Sequence, residues 1–265
     1  MTDDIFLVRE GDLTPMTRAP YEAERVLQEL IGRFPGVLSG SAAPSGSWLL
    51  VDREVAVAHG DSAAGAGFLD HLFLDADGVP TLVEVKRSSD ARIRREVVGQ
   101  MLDYAANAAA SWSSQKLQEL FARRCSRDGV DPDELLSEHI DSERDPEEFW
   151  EEAATNIRAG RMRLVFVADE IPGTLQRIIE FMNDRMSDVE VVAVEVKQYV
   201  GDGVATLVPR LVGETGASRT RRESRLRRQW DEQSFLADLE AKKGADDVAT
   251  ATALLEWAHE NATQV

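Results

Sequence analysis

Between Gly67 and Tyr104 the spacing of apolar residues changes from strand-like to helical within one short segment. FLDHLFLDA reads as a strand and DADGVP as a turn punctuated by Asp-Gly and Pro. TLVEVKR follows as a strand rich in β-branched residues. From Asp90 onward, Ile93, Val97, Val98, Met101, Leu102, Ala105 and Ala108 mark one helical stripe, with Ser89 or Asp90 placed to cap its start. A strand–turn–strand–helix unit of this kind points to an α/β fold, and the rest of the chain is read around it.

The same segment carries charge where strands carry core. Val83 and Val85 point one way from their strand, and Glu84 and Lys86 point the other. Two charges on an otherwise apolar strand are costly unless something offsets them. Asp70 on the preceding strand, facing Glu84, offers a second carboxylate for a shared cation. The carbonyl oxygen of Val85 offers a further hard ligand, which suits Mg²⁺ or Mn²⁺. Lys86 is then placed to orient or help deprotonate a water and to offset charge at phosphorus. Gln100 and Tyr104 are one helical turn apart and share a face able to hydrogen-bond a phosphate or base.

Asp70, then Glu84-Val85-Lys86, resembles the signature of the PD-(D/E)XK nuclease superfamily. Gln100-Met-Leu-Asp-Tyr104 resembles the Gln-x-x-x-Tyr element of RecB-like members. The helix EAERVLQELIGRF resembles the first helix of such nucleases, which often adds an acidic residue; Glu24 is the choice, with Glu22 and Glu29 as competitors. One departure is Leu69, where the superfamily often has proline. The resemblance covers about residues 20–110 and is closest to stand-alone or defence-associated prokaryotic nucleases. It implies a restriction-endonuclease-like core, a mixed central sheet flanked by helices. It also implies hydrolysis of DNA phosphodiesters at a Mg²⁺ or Mn²⁺ held by Asp70 and Glu84, with Lys86 serving the water. Catalytic expectations are Asp70, Glu84, Lys86, Gln100, Tyr104 and Glu24; metal ligands are Asp70, Glu84 and Val85. Arg87, Arg92, Arg94 and Arg95 are expected to contact phosphates.

Glu-X-Lys recurs at Glu195-Val-Lys197, so the tripeptide alone decides little. That copy is followed by a hairpin signal, Gly201-Asp-Gly203, and not by a Gln-x-x-x-Tyr helix; Asp169 is its best candidate partner. His71 reads as a core or surface histidine, and Asp75 and Asp77 as turn formers. Four scattered histidines and one cysteine, Cys125, suggest no zinc site. There is no phosphate-loop signature, and so no nucleotide cofactor.

Composition bounds the remainder. With 265 residues, 43% of them hydrophobic, the chain has a core to bury. One cysteine, no leader-like N-terminus and no long apolar run fit a reducing cytoplasm and no membrane association. The net charge of −18 argues against broad, nonspecific nucleic-acid binding, although charge is segregated: 128–152 is acidic and 219–228 is arginine-rich. That acidity keeps two other readings open: a catalytically silent nuclease fold used for nucleic-acid binding, regulation or interaction, and a DNA mimic acting through 128–152. The expected organisation is a nuclease-like domain over 1–213 with a helical insertion at about 112–160. An Arg-rich linker or exposed helix over 214–229 and a helical segment over 230–265 follow, and a homodimer is compatible with all of this.

Further expectations concern single segments. Residues 4–9 read as a strand, GDLTPM as a turn and DSAAGAGF as a connector. RLVFVADE and VEVVAVEVKQYV read as strands joined by an amphipathic helix, suggesting a crossover between parallel strands.

Overall fold

The computed structural model describes residues 5–9, 12–38, 48–59, 62–90, 93, 96–142, 144–186 and 188–213, with isolated residues after 235. The chain divides into two compact units, Met1–Ser218 and Arg219–Val265. The arginine-rich run 219–228 lies outside the described residues. In the second unit Leu236, Val248, 250–252 and 254–255 are helical.

The first unit is an α/β fold with a mixed central sheet between helices. Its strands are β1 (Ile5–Arg9), β2 (Asp12–Ala19), β3 (Leu49–His59), β4 (Ser62–Leu74), β5 (Pro80–Lys86), β6 (Met162–Ala168), β7 (Val189–Gly201) and β8 (Val204–Val212). They run in the order β1-β2-β7-β6-β5-β4-β3, with β8 paired to β7. β3, β4 and β5 form an antiparallel meander, whereas β5, β6 and β7 are parallel. Parallel strands need long crossovers. The first holds α2 (Glu96–Ser111), α3 (Ser114–Asp128), α4 (Pro132–Ser137) and α5 (Pro146–Arg158); the second is α6 (Gly173–Arg185).

Helix ends follow local chemistry. Ser113 caps α3, and Gly129 at φ 70° ends it in the left-handed region. Asp131-Pro132 and Asp145-Pro146 open α4 and α5 with a capping carboxylate and a proline that has no N–H to satisfy. The helices of 112–160 are not a separate body: Leu117, Leu120, Phe121, Phe149 and Trp150 share one core with Val97, Met101 and Tyr104 of α2 and with Leu72 and Leu82 of the sheet. On the opposite face α1 (Glu24–Arg33) buries Leu27 and Ile31 against Phe73, Val83, Val85, Val165 and Val167. β5 is therefore buried at all seven positions.

Two segments differ from their sequence reading. Of the turn expected at 11–16, residues 12–16 belong to β2, which carries Pro15 opposite Phe6. Of the connector expected at 61–68, residues 62–68 are the first half of β4, paired to β3 from His59↔Ser62 onward. In both, pairing with a neighbouring strand outweighs weak local propensity. The Asp75 turn forms as expected: its Oδ1 accepts from Asp77 N at 3.1 Å and Val79 N at 2.8 Å, and Gly78 sits at φ 67°.

The meander reverses its faces at one point. Arg53 and His71 are paired and both lie under α1, where a side chain on Gly32 would meet them. Val55 and Leu69, the next described pair, lie in the core on the other face. The alternation of both strands therefore breaks between these pairs, at Glu54 and Asp70. Glu54 has φ 51°, a left-handed conformation that costs a non-glycine residue on the order of 1 kcal/mol.

α3 is tied to β3 by one buried carboxylate. Asp52 is fully buried and accepts from Arg127 Nη2 and Arg123 Nη2, each at 2.7 Å, and from Arg53 N at 2.8 Å. Removing its cationic partners leaves a buried charge uncompensated. Replacing both Arg123 and Arg127 by alanine should lower stability by about 3 kcal/mol in urea unfolding. A loss below about 1 kcal/mol would mean that Asp52 is adequately held by the backbone alone.

Candidate active site

β4 and β5 pair from Leu74↔Pro80 to His71↔Val83 and then part. Asp70 is the first residue beyond that ladder. Its carboxylate turns into the gap and takes over there: Oδ2 accepts from Val85 N at 2.7 Å, where a strand would otherwise have bonded. Oδ1 accepts from Gln28 Nε2 of α1, also at 2.7 Å. Asp70 thus meets β5 through the Val85 amide, in the plane of the sheet, with the Glu84 carboxylate close enough to feel its charge.

Glu84 is 1% exposed and Lys86 is 6% exposed. Lys86 Nζ lies 2.8 Å from Glu84 Oε1 and 3.3 Å from Glu24 Oε1, and it donates to the carbonyl of Val85 at 2.9 Å. Glu24 is thus the α1 acid that reaches the strand. Glu29 instead pairs with Arg25 at 2.7 Å, and Glu22 is exposed. The second carboxylate oxygen of Glu84, Oε2, is buried with no hydrogen-bond partner.

Electrostatics follow from this crowding. Burial raises Glu84 from its ordinary 4.5 to about 7, and the neighbouring Asp70 carboxylate adds to the rise. Burial likewise raises Asp70 from 3.8 to about 6, against the pull of Lys86 and of its hydrogen bonds. Burial alone disfavours the Lys86 ammonium, but Glu84 and Asp70 outweigh it and raise its pKa. The site holds a firmly charged lysine beside two acids reluctant to ionise together.

α2 closes one side. Gln100 Nε2 donates to Tyr104 Oη at 2.5 Å, and Tyr104 Oη donates to the carbonyl of Phe68 at 3.1 Å. The pair expected to face substrate is thus partly used to hold β4 just ahead of Asp70. Gly67 makes that approach workable, because a Cβ there would sit 2.6 Å from the tyrosine ring and hydroxyl. Arg87 lies next to the site and donates to the carbonyl of Glu22 at 3.2 Å. Arg92, Arg94 and Arg95 lie outside the described residues.

His71 lies in the core, one of the two places expected for it: it is buried, its Nε2 donates to the carbonyl of Gln28 at 2.9 Å, and burial lowers its pKa to about 4. Gln28, which secures both Asp70 and His71, was missed in the sequence. Its only signal there is its position one turn after Glu24 on the same helix.

The second Glu-X-Lys is built differently. Glu195 Oε2 accepts from Ile171 N at 3.1 Å, and Oε1 lies 3.1 Å from Arg210 and 3.3 Å from Lys197. Asp169 is engaged elsewhere, accepting from Ser88 N and Oγ. Two cations thus lie beside Oε1, which makes no hydrogen bond of its own, and a backbone N–H serves Oε2.

The donor set at Asp70 and Glu84 fits a small hard cation in chemistry: two carboxylates, one with a buried unpartnered oxygen, and the carbonyl of Val85, which now accepts from Lys86. Among the described residues no group of three or more His, Cys, Asp or Glu is arranged to hold a metal ion. A cation here therefore depends on the Val85 carbonyl and on oxygens from water and substrate, as Mg²⁺ commonly does. Among the described residues no helix is long and apolar enough to cross a membrane. Comparison with family models, with curated proteins and with solved structures gives no match.

Both acids have raised folded-state pKa values, so between about pH 4 and pH 7 the folded chain keeps protons that the unfolded chain releases. Their stabilising contribution is complete below about pH 4 and is lost as pH rises through 6 to 7. In chelator, the thermal midpoint should fall between about pH 4 and pH 7, and that of Glu84→Gln should fall less steeply. Equal slopes for the two proteins would show that this pair does not carry the burden.

Proposed function

We propose that this protein is a metal-dependent nuclease with a restriction-endonuclease-like core, hydrolysing DNA phosphodiesters. The observation that carries the reading is the convergence of Asp70 and Glu84-Val85-Lys86 where β4 leaves β5, with one Glu84 oxygen buried and unpartnered. The order of α1, the β3–β5 meander, α2 and the parallel strand β6 supports the same reading.

Asp70, Glu84 and the carbonyl of Val85 are the groups that would hold Mg²⁺ or Mn²⁺. Such a cation, when bound, supplies charge neutralisation and a more acidic water. The chain's own residues do the rest. Lys86 keeps its proton, so it acts as a donor that orients water and balances phosphate charge, and not as the base. Glu24, 3.3 Å from Lys86, helps to hold that ammonium in place. Gln28 fixes the rotamer of Asp70. Water forms a new P–O bond as it gives up one proton, the P–O bond to the leaving oxygen breaks, and that oxygen takes up one proton, so that a phosphodiester and water become a phosphomonoester and an alcohol.

The nuclease reading predicts Mg²⁺- or Mn²⁺-dependent cleavage of single-stranded, branched or duplex DNA. Lys86→Ala should slow cleavage by about 100-fold or more, the cost of losing one preorganised charge at the reacting centre. Glu84→Ala should abolish it with the fold retained. Undiminished cleavage by both variants would end the assignment.

A second reading is favoured by one observation: Lys86 already lies within bonding distance of Glu84, Glu24 and the Val85 carbonyl. Such a closed cluster suits a silent nuclease fold that binds or regulates. Calorimetric titration with Mn²⁺ separates the two. A silent module gives no heat that depends on Asp70 and Glu84.

A further inference from the structure

We propose that Glu54 is a positioning residue for Asp70: its left-handed backbone is what turns the Asp70 carboxylate out of the sheet's alternation and into the gap beside β5. The inference rests on the nuclease reading only in taking Asp70 as a cation ligand.

β3 and β4 pair in one register on both sides of Glu54, at Arg53↔His71 and at Val55↔Leu69. No residue is inserted there, so the strands are not offset. What changes is the face. Arg53 and His71 lie under α1, and His71 stacks on Phe73 with 14° between the rings. Val55 and Leu69 lie in the opposite core. Regular alternation would put residues two apart on the same face. Here the reversal falls on the residues between those two pairs, Glu54 on β3 and Asp70 on β4.

The two members show it differently. Glu54 carries the unusual backbone angle, φ 51°, and is exposed. Asp70 has a side chain that bonds in the plane of the sheet, to Val85 N of the next strand. If β3 ran straight through, β4 would follow it by pairing. Asp70 would then stand over one face, away from Val85 N and the strand that carries Glu84. The turn in β3, the outer strand, is thus transmitted to β4, which has β3 on one side and the gap on the other. Described non-glycine residues with positive φ number two, and the other, Asp202, serves a hairpin turn. Glu54 serves no turn. Left-handed geometry in mid-strand persists only where the surroundings impose it, and such positions cluster at functional sites.

Three substitutions separate the backbone angle from the side chain. Glu54→Gly and Glu54→Asn accept positive φ; Glu54→Ile does not, being β-branched. Two readouts are needed on the full chain. The first is hydrogen exchange of the Val85 amide, which reports its bond to Asp70 without any metal, with the Val83 amide as the control within β5. The second is Mn²⁺ affinity by calorimetry. Glu54→Gly and Glu54→Asn should match the parent in both. Glu54→Ile should lose Val85 protection by 10-fold or more relative to Val83, and should weaken Mn²⁺ at least 10-fold. Adding Glu54→Ile to Asp70→Asn should then weaken Mn²⁺ no further, because the effect passes through Asp70.

Retained Val85 protection in Glu54→Ile would overturn the proposal, and so would equal loss in Glu54→Gly. If the parent binds no Mn²⁺, the metal reading falls, while the Val85 amide still decides the role of Glu54. A loss of protection at Val83 equal to that at Val85 would show a merely structural residue and also overturn it.

Discussion

A charged pair sits on a strand buried along its whole length, and much of the structure around it answers to that fact. Glu84 and Lys86 lie 2.8 Å apart on β5, under helices on both faces of the sheet. Attraction between two ions repays their desolvation only when the remaining polar atoms are also satisfied. For Lys86 they are, through Glu24 and the carbonyl of Val85. For Glu84 they are not, since one oxygen stays unpartnered beside a second acid. A pair kept solely for stability would more economically be apolar. The unsatisfied half is the part that a cation would complete.

The second Glu-X-Lys of the same chain makes the contrast internal. Glu195 and Lys197 are spaced alike, and Glu195 is as deeply buried. Yet its carboxylate receives a backbone N–H and two cations, and its candidate partner Asp169 is held by Ser88. Identical local sequence yields two differently surrounded ion pairs: each carboxylate keeps one oxygen without a hydrogen bond, but that of Glu195 lies beside two cations and that of Glu84 beside none. The difference is made by the neighbours: β4 departs from β5 and leaves a gap, whereas β7 keeps β8 beside it from Ala193, past Glu195, to Gly201.

Much of the fold was legible, for reasons visible in particular residues. The apolar stripe from Ile93 to Ala108 and the Asp-Pro starts of α4 and α5 act locally, so the sequence carries them. The β-branched run at 81–85 reads as a strand because it is buried on both sides. Asp70, Glu84, Lys86 and Glu24 were legible as types and order. Their geometry was not. That Asp70 lies edge-on depends on a backbone reversal in β3, and Glu54 has no compositional mark of it. Gln28 was missed because its role is defined by a partner on a distant strand. The strand at 62–68 was missed because Gly and Ala are poor strand formers; Gly67 is there to admit Tyr104.

The pairing of β5 also has a temporal side. Its antiparallel neighbour β4 precedes it by one tight turn, so that hairpin closes over a short loop. Its parallel neighbour β6 follows only after α2, α3, α4 and α5, with Thr81 paired to Arg163. Contacts that span so much chain form slowly. During synthesis, β5 therefore leaves the ribosome with one edge satisfied and the other bare until four helices have been made. Its two valines and two charges wait together, and the charges keep that waiting edge from resembling a purely apolar strand open to another chain.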